Sequence, residues 1–105
     1  MTDETIYEVS LDVDAAVAAQ FLVWLRAHIG EICALPGFLG ADLHEVDEPA
    51  PAPGRLALCV RYRLRDAAAL ETYLRDHAPR MRAEGLARFE GRFGASRRVM
   101  RVLPR

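Results

Sequence analysis

The sequence contains no lysine: all fourteen of its basic residues are arginine. Lysine Schiff-base chemistry is therefore excluded. The bias reads first as codon usage and second as a use of arginine's bidentate geometry. Cysteine is scarce too. Cys33 and Cys59 stand in no CxxC or other metal-ligand spacing, and two are too few for a disulfide scaffold. Both are expected to be buried, reduced thiols in a cytoplasmic protein. No apolar run approaches the ~20 residues that span a bilayer, so no membrane partner is expected. Met1-Thr2-Asp3-Glu4 is acidic where a signal peptide would be basic. Glycine-rich phosphate loops and a GxSxG nucleophile elbow are missing as well.

What is present suits one compact domain over residues 1–105, with 51% hydrophobic residues for a core of its own. The net charge of −1 hides an asymmetry. Residues 1–54 hold ten acids and one arginine, whereas residues 55–105 hold five acids and thirteen arginines. A fold that interleaves the halves neutralises both. The other reading is a basic half turned to an anionic ligand or nucleic acid. A pI near 6.3 does not suit a dedicated nucleic-acid binder.

Ile6 to Val13 alternates as a half-buried strand, with Tyr7, Val9, Leu11 and Val13 on one face and Glu8, Ser10 and Asp12 on the other. Asp14 offers an N-cap to a helix over about residues 15–34, stopped by Pro36-Gly37. A second strand spans Phe38 to Val46, with a bulge expected near Gly40. Residues 47–54 form a proline-rich hairpin connection. Arg55 to Leu64 is the clearest strand, with Leu56, Leu58, Val60, Tyr62 and Leu64 on its apolar face. Asp66 caps the next helix, and Phe93 to Leu103 closes the chain as a fourth strand.

Asp76 to Phe89 reads as a helix with proline in its middle, where proline removes a donor and clashes with the preceding turn. The segment is kinked, or it is two helices end to end with Pro79 in the first turn of the second.

The order β-α-β-β-α-β with right-handed crossovers predicts an α+β fold. It is the ferredoxin-like βαββαβ plait, a four-stranded antiparallel sheet with both helices on one face. Glu8, Ser10, Cys59, Arg61 and Arg63 would then share the opposite face, with Ser96 and Arg98 beside them. Two such faces can pack into a dimeric α+β barrel that encloses a polar cavity between the sheets. Charges buried there must pair with each other or with a ligand. An RNA-recognition motif would need aromatics where Ala57, Cys59 and Arg61 stand.

Ile6-Tyr7, then Trp24-Leu25 with His28-Ile29 and Glu31, resemble a small bacterial family. So do His77-Ala78-Pro79 with Arg80, Arg82, Glu84-Gly85-Leu86 and Phe89. It is the family called domain of unknown function 4286, and the likeness covers nearly the whole chain. One departure is Gly30, where the family pattern leads us to expect proline. The resemblance implies a dimeric α+β barrel, and the family has no established activity to carry over. Structural relatives of that barrel include cofactor-free monooxygenases of polyketide pathways, stress-responsive barrel proteins, isomerases and ligand-sensing regulatory domains. It therefore implies a small-molecule site without fixing a chemistry.

Arg61 and Glu8 are the expected functional pair, the first to hold a carboxylate or enolate oxygen and the second to accept a proton. The alternative is a bridge that stabilises the sheet or the dimer. His28 and His77 hold matching places in Phe21-Leu25-His28-Ile32 and Leu70-Leu74-His77-Met81. Each reads as a boundary residue bonded to backbone or carboxylate, or as a catalytic or binding group. With no third ligand evident, no metal is expected, and no cofactor is called for. The expected catalytic set is Glu8, Arg61 and His77, and the expected ligand-binding set is Ser10, Cys59, Arg63, Trp24 and His28. Trp24 also reads as core or interface, and Arg80 and Arg82 as solvated or paired with Glu84. The predicted protein is a cytoplasmic homodimer, joined through the sheet face, that binds a small anionic or polar-aromatic molecule. The alternative is a structural or regulatory dimerisation module.

Overall fold

The computed structural model describes residues 4–105; the acidic start at residues 1–3 lies outside the described residues. Four strands, β1 (Thr5–Asp14), β2 (Phe38–Glu45), β3 (Arg55–Leu64) and β4 (Phe93–Arg101), form an antiparallel sheet in the order β2-β3-β1-β4. One face is packed by α1 (Ala18–Cys33), α2 (Ala67–Asp76) and α3 (Ala78–Phe89).

The local reasons are those the residues announce. Asp14 accepts from the Ala16 amide and starts a short 3-10 turn, Ala15–Val17, that runs into α1. Asp66 accepts from the Ala69 amide at 2.8 Å and caps α2. Gly37 takes φ +87° after α1, and a β-carbon there would sit 2.5 Å from Ala69 Cβ. Only glycine allows that turn so close to α2. The register slips between Phe38 and Gly40, the expected bulge. The proline-bearing segment is two helices, joined at His77, with Pro79 in the first turn of α3.

Strand pairing explains how the oppositely charged halves meet. β1, from the acidic half, lies between β3 and β4, both from the arginine-rich half. Asp12 pairs with Arg55 at 3.0 Å, Asp14 with Arg92 at 2.8 Å, and Glu8 with Arg61 at 2.9 Å. Tyr7, Leu11 and Val13 turn the other way and meet Phe21, Leu25, Leu70 and Tyr73 in the core.

Candidate functional site

The sheet face away from the helices carries a row of alternating charge. The register aligns Asp42, Arg61, Glu8 and Arg98 across β2, β3, β1 and β4. Glu8 Oε1 accepts from Arg61 Nε at 2.9 Å and Oε2 accepts from Arg98 Nε. The Glu8 side chain is 6% exposed, while Arg61 and Arg98 keep 52% and 65%. What covers the carboxylate is therefore the two guanidiniums lying across it, not the core. Arg98 foremost, with Arg61, outweighs burial and holds Glu8 down at about 2. A carboxylate so firmly ionised is a poor proton acceptor near neutrality. Glu8, expected as a proton acceptor, stands at the centre of this ion-paired row.

His44, Cys59, Ser10 and Ser96 form the neighbouring row. Burial, and then the Glu8 charge, push the Cys59 thiol up. Arg63 lies over the β2 bulge, its Nη2 2.5 Å from where a Gly40 β-carbon would stand.

On the helix side a cavity of about 270 Å³ opens between the sheet and the helices. Its floor is Tyr7, Val9 and Leu11 of β1 with Val60 and Tyr62 of β3. Trp24, Leu25 and His28 of α1 close it from above. Its mouth lies between α3 and the edge strand β4, where Arg82, Leu86, Ala95 and Arg97 line it and are exposed.

The interior is aromatic. Trp24 stacks on His28 with ring centres 4.4 Å apart, and Tyr7 lies 6.0 Å from Tyr62 and 5.9 Å from Tyr73. Arg82 Nη2 donates to Tyr7 Oη at 3.0 Å. Burial pushes Tyr73 up to about 12, and Tyr62 higher still; Arg97 opposes both shifts and Arg82 opposes that of Tyr73. Among the described residues, neither Arg82 nor Arg97 forms an ion pair with a carboxylate.

His28 is the titratable group set into the wall. Its Nδ1 is buried without a hydrogen-bond partner, 3.9 Å from Glu84 Oε2 on α3. Burial pushes its pKa down, and the Glu84 and Glu31 charges only partly offset this.

The residues expected at the site are therefore divided by the sheet. Trp24 and His28 line the cavity. Glu8, Ser10, Cys59, Arg61 and Arg63 belong to the other face or its edge, away from it. His77, at the α2–α3 junction, does not line the cavity; its ring stacks 6.5 Å from Tyr73 and its Nδ1 lies 3.3 Å from Arg80 Nη2. Arginine only donates, so Nδ1 is the acceptor. Arg82, expected to be solvated or paired with Glu84, is exposed and also donates to Tyr7. The sequence reading missed Tyr7, Tyr62, Tyr73, Arg82 and Arg97 as site residues. The available signal was β4, whose helix-facing positions hold Ala95 and Arg97 where a filled core would need large apolar side chains.

Sheet order and helix placement define the ferredoxin-like α+β plait from which dimeric α+β barrels are built. Residues 4–103 match the family described as Domain of unknown function (DUF4286), and the chain belongs to that family. No curated protein matches the chain in sequence. Among solved structures, a variant of SnoaB, a cofactor-independent oxygenase from Streptomyces nogalater, is similar with a TM-score of 0.69. Its identity is 17% over 98% of this chain and 96% of that one. Rv0793 from Mycobacterium tuberculosis gives 0.68 at 19% identity, covering 97% of each chain. The heme-degrader MhuD of the same organism, with two hemes bound in its active site, gives 0.66 at 19% identity, over 96% of this chain and 97% of its own. Likeness at this identity establishes the shared fold. No helix among the described residues is long and apolar enough to cross a membrane.

Proposed function

We propose that this protein is a cytoplasmic small-molecule-binding α+β barrel protein. In this reading it is a homodimer, paired through the polar faces of its sheets, that holds an anionic or polar-aromatic molecule in the cavity of each subunit. One observation carries the ligand reading: an aromatic cavity with two arginines at its mouth that pair with no carboxylate among the described residues. Such a pocket concentrates positive potential where a ligand enters.

The pairing reading rests on the charge row. Asp42, Arg61, Glu8 and Arg98 sum to zero, and Glu8 is already held by two guanidiniums. A second copy can cover Glu8 without stranding a bare carboxylate, which is the costly event in burying charge. The likeness to SnoaB extends the proposal to cofactor-independent chemistry on the bound molecule. His28 is then the proton-exchanging group, because its imidazole lines the cavity wall with Nδ1 buried and without a hydrogen-bond partner.

The same charge row favours a second reading, a structural or regulatory dimer, since it stands apart from the cavity. The test pairs light scattering over a dilution series with a panel of aromatic acids, phenols and neutral aromatics. Emission from Trp24, the chain's single tryptophan, reports on the cavity directly. A concentration-independent dimer with a saturable change in Trp24 emission is the expected result. A dimer that no panel member alters supports the second reading, and a monomer that binds nothing overturns both.

A further inference from the structure

The cavity is polarised. Its inner walls are among the most buried side chains of the fold: Tyr62 at 2%, Tyr73 at 4%, Val60 at 1% and Leu25 at 3% exposure. Its mouth carries Arg82 from α3 and Arg97 from β4. Four arginines beside β1 are matched to carboxylates: Arg55 to Asp12, Arg92 to Asp14, and Arg61 and Arg98 to Glu8. Arg82 and Arg97, at the cavity mouth, form no ion pair with a carboxylate among the described residues. Arg82 donates to the Tyr7 hydroxyl, and both guanidiniums bear electrostatically on Tyr73 inside the cavity.

We propose that the ligand is a planar aromatic monocarboxylate, entering ring first between α3 and β4, with its carboxylate held at the mouth by Arg82 and Arg97. This rests on the cavity reading above and narrows it to a chemical class. Guanidinium forks match a carboxylate bidentately, and the mouth is wet enough that the anion need not be fully stripped of water. The ring then lies among Trp24, Tyr62 and Tyr73, where flat faces stack well. One acidic group is specified because the buried walls offer no further guanidinium to receive a second. Size sets the rest. A dry cavity of ~150 Å³ takes one benzene ring, so about 270 Å³ accommodates one ring or two fused ones.

The probes are 2-naphthoate and its neutral isostere 2-naphthamide, titrated at neutral pH and followed by the Trp24 indole N–H signal in NMR. Naphthoate should bind at least tenfold more tightly than the amide, as expected for charge-assisted hydrogen bonds. Arg97→Gln should remove most of that preference, weakening naphthoate far more than the amide. Arg97 is exposed on an edge strand, so this variant tests the charge with little risk to folding. Arg82→Gln should act in the same direction. Equal binding of acid and amide, or a preference that survives both substitutions, overturns the carboxylate assignment and leaves the cavity reading standing. If neither probe moves the Trp24 signal, or only Ser10 and Cys59 respond, the cavity reading falls and the assignment with it.

Discussion

The Trp24 indole lies against the bare α-carbon of Gly85: a β-carbon built there would stand 2.8 Å from Trp24 Cη2 and 3.4 Å from Phe93 Cζ. This close approach of α3 to α1 lets one ring fill the helix junction and still form a cavity wall. Gly85→Ala must displace the indole, which Phe21, Phe89 and His28 hold from other sides. The expected loss is about 1–3 kcal/mol, as for other overpacked cores. Shifted Trp24 emission should accompany it in the folded variant. Gly30 is the control. It lies near the end of α1 with nothing within 4 Å of its would-be β-carbon. Gly30→Ala should therefore stabilise by about 0.5–1 kcal/mol through helix propensity. Urea unfolding of the two variants distinguishes close contact from a general intolerance of change.

Burial lowers the His28 pKa and Glu84 works against it, which fixes the direction of a titration. The ring should titrate below 6.5 in the folded protein, and Glu84→Gln should lower its midpoint further. Because the unfolded chain takes up this proton first on acidification, His28 costs stability as pH falls below 6.5. NMR of the imidazole carbon protons follows the midpoint. A midpoint above 6.5 would mean that the neighbouring carboxylates outweigh burial, and no response to Glu84→Gln would mean that the two side chains do not sense each other across the 3.9 Å gap.

Much of this structure could be read in the chain because the strands alternate cleanly. Tyr7-Val9-Leu11-Val13 against Glu8-Ser10-Asp12 assigns both faces of β1, and the plait topology then places Glu8 beside Arg61 and near Arg98. Asp14, Asp66 and Pro79 mark helix starts through local chemistry alone. The cavity was not legible by the same route. Periodicity says that Tyr7, Trp24 and Leu25 face inward, not whether the space between them is filled. That depends on small residues meeting from distant elements, Gly85 on α3 and Ala95 on β4, and on helices that leave the inner side of β4 uncovered. The charged face drew attention because its residues carry obvious chemistry. Its ion pairs instead satisfy one another.

The cap at Asp66 offers a local test of stability. Its carboxylate accepts from the Ala69 amide at 2.8 Å, and α2 carries Leu70 and Tyr73 into the core. Asp66→Ala should cost about 1 kcal/mol. For a domain of this size that corresponds to a Tm roughly 4–8 °C lower. Asp66→Asn should recover most of the loss, since the amide oxygen can still accept from the backbone.

Glu8 adds to the acid sensitivity of the fold. Its carboxyl ordinarily titrates at 4.5 and is held at about 2 here, Arg98 contributing most and Arg61 next. Between those values the unfolded chain binds a proton that the folded chain refuses, so stability drops as pH falls through that window. Above 4.5 the contribution is fully present, and below about 2 it is gone. Glu8→Gln keeps the shape of the side chain but leaves Arg61 and Arg98 facing each other without the charge between them. The variant should be less stable than the parent at pH 7, and the two should converge as pH approaches 2. Urea titrations from pH 7 down to pH 2.5, at one fixed protein concentration so that any association stays constant, measure the difference. Parallel profiles for the two proteins would mean that the guanidiniums do not hold this carboxylate below its ordinary range. Convergence would show that the ionised Glu8, held between Arg98 and Arg61, contributes stability that is lost as its proton returns.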